Sequence, residues 1–148
     1  MVSRGSGQVL VFFALVLPIV LLPTAAYALD AAVTAAHYSR LVEVTARAAE
    51  DAAQQIDVSA LRAGGALRVD TVAAVQAARD DVLADPDARL ISVGLAGDTV
   101  TVATGERVLL PLNFVGNPNV TIHASATARI VPGYERPNSR LPLPVSTF

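Results

Sequence analysis

Between Val9 and Leu29 the chain carries 21 consecutive residues without a charge, VLVFFALVLPIVLLPTAAYAL. As an α-helix this run would span roughly 32 Å at about 1.5 Å per residue, against a hydrocarbon thickness of roughly 30 Å. Lipid offers the backbone no hydrogen-bond partners, so a run that stays in a bilayer must be helical. Val9, Phe12, Phe13, Leu15, Pro18, Leu21 and Leu22 are the side chains expected to meet acyl chains. Pro18 and Pro23 each remove an internal N–H and are expected to bend the helix. Tyr27 lies near the distal end, where an aromatic ring suits the membrane interface. Arg4 and the free amine precede the run and Asp30 follows it, so the positive-inside rule places the N-terminus in the cytoplasm and the remainder outside. A cleaved secretory signal is the rival reading. MVSRGSGQ would then be its charged region, and Ala26-Tyr27-Ala28 would offer a small-x-small cleavage site.

Past Asp30 the pattern becomes that of an Ala-rich amphipathic helix. Leu41, Val44, Ala48 and Ala52 recur at spacings of three and four, beside a charged stripe of Arg40, Glu43, Arg47, Glu50 and Asp51. Glu43–Arg47 and Arg47–Asp51 are spaced as i,i+4 ion pairs. No Gly or Pro interrupts residues 24–57, so one helix is expected to leave the membrane and continue as a stalk over 31–57. Gly64-Gly65 marks a loop. A second helix is expected over 69–84, with Asp70 or Thr71 as N-cap, Pro86 beyond its end, and Val72, Val75, Ala78 (or Arg79) and Val82 as its apolar face.

From Arg89 the period changes to two. Four strands are expected, at Leu90–Leu95, Thr99–Ala103, Arg107–Leu112 and Asn119–Ile130. Ala96-Gly97-Asp98 and Gly105-Glu106 read as hairpin turns, and Phe114–Asn119 as a longer one. The last residues, 132–148, carry four prolines and read as an extended tail. The chain is therefore α+β. A long N-terminal helix, transmembrane and then amphipathic, is followed by a short second helix and a small antiparallel sheet packed on the long helix's outer half. Residues 1–30 form the anchor segment and 31–131 the head.

Sites for chemistry are few. The net charge is −2, whereas a nucleic-acid binder needs a basic face, and all eleven basic residues are Arg. There is no Cys, which removes disulfides, thiolate metal sites and cysteine nucleophiles. His37 and His123 fall on a helix and a strand, and read as separate surface or half-buried histidines. Asp80, Asp81, Asp85 and Asp87 cluster around Pro86, but their spacing is not that of a calcium loop and fits turn chemistry better. No nucleophile elbow, phosphate loop or dinucleotide fingerprint is present. The chain is read as non-enzymatic, with no catalytic residue, cofactor, metal or small-molecule substrate.

The segment Gly7-Gln8-Val9-Leu10-Val11-Phe12-Phe13-Ala14-Leu15-Val16-Leu17-Pro18 resembles the N-terminal segment of the TadE/TadG-like pilus-assembly proteins. Tyr38–Leu41, Ala48–Ala53 and the ending Val120–Arg129 are similar to that family too. The resemblance covers roughly residues 5–55 well and 90–131 loosely. It implies a pilin-like fold and a minor pseudopilin or assembly component of a tight-adherence (Flp-type) pilus, a machinery related to type IV pili, to secretion and to cell adhesion. It also implies a place in the bacterial inner membrane with an exoplasmic head, or in an extracellular filament, and partners that are the lipid bilayer and other pilus subunits contacted through the N-terminal helix. Gly7 and Gln8 would flank a processing site. Processed members carry Glu five residues into the mature chain, where this sequence has Phe12, so it fits an unprocessed TadG-like anchor at least as well. The alternative remains a secreted or periplasmic binding module released after Ala28.

Overall fold

A computed structural model describes residues 5–65, 67–112, 116 and 118–130. The elements are α1 (Gly5–Ala53), α2 (Val58–Arg62), α3 (Thr71–Leu83), β1 (Ala88–Ala96), β2 (Thr99–Leu109) and β3 (Asn119–Arg129). The expected proline-rich tail at 132–148, the basic flank at Arg4 and most of the turn after Leu112 lie outside the described residues.

α1 is a single helix of 49 residues that runs through both Pro18 and Pro23. One turn of it is reinforced by a side chain, since Thr24 Oγ1 donates to the Val20 carbonyl at 2.8 Å. The helix ends at Ala53, four residues before the expected 57, because the chain turns there into a closed excursion. An Ile56–Val69 bridge, with Asp57 N donating to Arg68 O at 3.0 Å and Asp70 N to Gln55 O at 2.7 Å, ties off its base. α2 sits inside this excursion. It was not expected from the pattern, and its N-cap is Asp57, whose Oδ1 accepts from Ala60 N at 2.9 Å.

α3 begins at its expected cap. Asp70 Oδ1 accepts from Val72 N at 3.0 Å and from Ala73 N at 3.1 Å. Asp70→Ala leaves both donors to water and is expected to lower stability by about 1 kcal/mol, measurable by urea unfolding. The buried face of α3 is Ala74, Ala78 and Val82, whereas Val72 is exposed. Of the expected face, Ala78 and Val82 are buried and Val75 is half-buried; only Val72 departs, because at the first turn the contact takes the small Ala74 instead. Ala48, Ala49 and Ala52 of α1 are buried with Ala74 and Ala78, and small residues on both helices allow a close approach.

Among the described residues the sheet has three strands, not the expected four, in the order β1-β2-β3, all antiparallel. The expected turn at Gly105-Glu106 is the middle of β2, where Gly105 pairs with both Arg89 and His123. Packing leaves little room for a side chain there: a Cβ would lie 3.0 Å from His123 Nδ1 and 3.1 Å from Ile91 Cδ1, closer than most Cβ contacts. The β1–β2 hairpin turns at Gly97-Asp98 as expected, with Gly97 at φ 65°. Alternation fixes the faces. Val100, Val102, Thr104, Glu106 and Val108 of β2 point at the helices, joined by Ile122 and Ala124 of β3. α1 covers β2 and β3, while α3 lies against α1 and β1. Residues 31–53 are thus the spine of the head, with the sheet packed on this outer half of α1 as expected and α3 beside it.

Candidate functional site

The first half of α1 stands outside this packing. Only 6% of its most apolar 18-residue window is buried, and Val9, Phe12, Phe13, Leu15, Leu21 and Leu22 are all exposed, Leu15 at 65%. Pro18 is exposed as well, and Gly7 lies in the first turns of the helix with open space around it. Gln8 follows in the same helix. Every side chain read as a membrane contact therefore projects from one rod that is long and apolar enough to cross a bilayer.

Head packing starts at Ala26 and Asp30, both buried. From there one stripe of α1 faces the sheet and carries polar groups among its apolar ones. Asp30 Oδ1 accepts from Leu112 N at 3.1 Å. Two turns on, His37 Nδ1 donates to Glu106 Oε1 at 2.5 Å, and Glu106 is only 4% exposed. Two further turns on, Thr45 and Thr104 meet at 2.5 Å, both fully buried. The Thr45 proton is directed at Leu41 O, 2.6 Å away, so the Thr104 hydroxyl is the donor to Thr45. Beside the stripe, Arg40 Nε reaches Asp85 Oδ2 at 2.9 Å and Arg40 Nη1 reaches Asp87 Oδ2 at 3.4 Å.

These ties reassign several residues. Asp85 and Asp87 serve as Arg40's partners, and Asp85 Oδ1 also accepts from Asp87 N at 3.1 Å, the turn chemistry expected of them. Asp80 accepts from Gln76 within α3. The Glu43–Arg47 and Arg47–Asp51 pairs do not come within ion-pair distance, and Asp51 instead faces Asp81 of α3. Among the described residues no group of three or more His, Asp or Glu side chains could hold a metal ion. His37 and His123 lie on opposite faces of β2, one on Glu106 and one over Gly105. The polar stripe at Asp30, His37 and Thr45 escaped the apolar pattern, although its spacings of seven and eight put all three in register with Leu41 and Ala48.

Asp81 is the strained member of the cluster. Its Oδ2 is buried without a partner, and burial, then the facing Asp51 carboxyl, raise the Asp81 carboxyl above its ordinary value of 3.8. A folded-state value raised in this way means the favourable contribution is fully present below pH 3.8 and is lost as pH rises through the folded value. Asp81→Asn removes the buried charge and supplies a donor for Asp51. It is expected to raise Tm by a few degrees at neutral pH, and the gain should vanish in melts below the ordinary carboxylate range.

A helix that can cross a membrane, continuous with the spine of a small α+β head, defines the class of this chain. No protein-family model matches the sequence, and no characterised protein or solved structure matches it significantly.

Proposed function

We propose that this chain is a non-catalytic, single-pass membrane protein with an exoplasmic head, acting as a structural or assembly component of a tight-adherence pilus. The observation that carries the anchor is the exposure of the whole Val9–Leu22 rod on a helix that passes unbroken into the head. Apolar surface of that extent on one element calls for lipid or for other apolar helices. The retained anchor is favoured over a signal cleaved after Ala28 because packing begins upstream of that bond: Ala26 is buried, and Tyr27 lines a groove with Leu110, Val120 and Ile122. The pilus reading rests on the resemblance of residues 5–55. A long helix with a small sheet on its outer half supports it.

Asp30 bears on how such a protein would assemble. No carboxylate lies between Gly7 and Asp30, and Asp30 already accepts from Leu112 N. Neighbouring subunits would therefore associate through van der Waals contact, with Ala25, Ala28, Ala31 and Ala32 allowing close approach.

Mass spectrometry of the mature N-terminus tests the anchor. A chain beginning at residue 1 or 2 supports a simple anchor, one at Gln8 supports a processed pilin, and one at Leu29 overturns both. The pilus role is tested by deleting the gene: filaments should disappear, return with the full chain, and stay absent with a chain lacking residues 5–29. Normal filaments after deletion would refute that role.

A further inference from the structure

β2 descends antiparallel to α1, as the Thr45–Thr104, His37–Glu106 and Asp30–Leu112 contacts show in order. The end of β2 and Leu110–Leu112 therefore lie where α1 leaves its apolar run. Asp30 fixes that level, because it closes the run and its carboxyl holds the backbone of Leu112. The segment held there is Leu109-Leu110-Pro111-Leu112, with Leu109 68% and Leu112 49% exposed. Beside it a groove of about 480 Å³ runs along α1 between Tyr27, Ala31, Tyr38, Leu110 and Val120. A mostly apolar surface, with Asp30 and Thr34 set in it, thus continues from the membrane rod sideways onto the sheet end.

Charge follows the same axis. Arg107 stands two residues before Leu109, on the same face of β2, exposed and without an ion pair among the described residues. One strand repeat is about 6.7 Å. The polar headgroup layer is of similar depth, roughly 5–7 Å on each side of the hydrocarbon. Leucines at the acyl boundary would set a guanidinium at the level of lipid phosphates, a bidentate partner that Arg suits. Arg89 and His123 surround Arg107 on that face, in a shallow basin of about 190 Å³.

We propose that the segment after β2 is a second membrane contact, in which Leu109 and Leu112 enter the lipid surface from which α1 emerges and Arg107 binds lipid phosphate. The occupant is the bilayer itself, since the apolar patch is continuous with the spanning helix and its basic rim matches headgroup charge. The head is then held down on the membrane instead of swinging on α1. This inference rests on the anchoring reading above, and its test separates the two.

The chain has no Cys, so a single introduced cysteine is a unique label. The full chain is reconstituted in phosphatidylcholine–phosphatidylglycerol vesicles with a fluorophore at Leu15→Cys, Leu109→Cys, Leu112→Cys or Arg62→Cys. Quenching is then read with aqueous iodide and with nitroxide-bearing lipids. Positions 15, 109 and 112 should be several-fold less open to iodide than position 62 and should be quenched from the lipid, with 109 and 112 shallower than 15. Arg107→Glu should raise iodide access at 112 several-fold and leave position 15 unchanged. If 109 and 112 are as open to iodide as 62 while 15 stays in lipid, the second contact is refuted and the anchor stands. Protection from both quenchers would mean that another protein surface covers the segment, which also refutes the proposal. Iodide access at position 15 itself would overturn the anchor, and this contact with it.

Discussion

A chain carrying Leu15→Arg and Val16→Arg is expected to leave the membrane fraction. Val16 opens the middle third of the uncharged run and Leu15 directly precedes it, on a helix of which nothing in the head covers the first half. Each Arg near the centre of a spanning helix costs about 2.5–3.5 kcal/mol of insertion free energy, and each also removes the favourable contribution of the Leu or Val it replaces. Together the change is about 6–7 kcal/mol, enough to reverse a partition that the wild-type run strongly favours. The head should be untouched, because its packing begins at Ala26, ten residues beyond the second substitution. The expected outcome is thus a folded head in the wrong compartment, read by carbonate extraction and by circular dichroism of the released protein. Unchanged extraction would mean that residues 9–29 do not span, whereas loss of the head's signal would mean that they are part of its core.

What could be read from the sequence divides along a physical line. The long apolar helix is legible because its signal is local and additive: 21 uncharged residues need no partner to be recognised. The Asp70 cap and the Gly97 turn were legible for the same reason, since a cap or a tight turn is decided within four residues. The misread elements depend on distant partners. Gly105-Glu106 has the composition of a turn, yet Gly105 lies mid-strand, where the His123 ring eighteen residues on leaves little room for a side chain. Glu106 is tolerated in the inward phase of β2 because His37 meets it from 69 residues away. Val72 has the composition of core, but a helix–helix contact lined by alanines takes Ala74 in its place. Asp30 was read as an orientation signal of the anchor, and in the fold its carboxyl also holds the end of the sheet. Of the seam as a whole, the sequence displays the phase in which its residues lie and conceals their partners.

His37→Ala is expected to destabilise the head by about 1–3 kcal/mol, the cost of leaving a buried acceptor without its partner. Glu106 lies on the inward face of the central strand at 4% exposure, and the His37 Nδ1–H, 2.5 Å away, is its side-chain partner. Without the imidazole, the carboxyl keeps its desolvation cost and loses the donor that offsets it. The reverse substitution is not equivalent. The His37 side chain is 34% exposed, so after Glu106→Leu water can replace the lost acceptor, while the new leucine adds apolar surface to the layer of Val102 and Val108. Glu106→Leu should therefore cost less than His37→Ala, by about 1 kcal/mol or more. The double variant should be closer to wild type than the sum of the two, since removing both members leaves no polar group stranded. Urea unfolding of the full chain in micelles, followed by circular dichroism, measures all three. Equal losses for the two single variants, adding in the double, would show that the pair contributes nothing as a pair, and that the seam between helix and sheet is held by its alanines and valines alone.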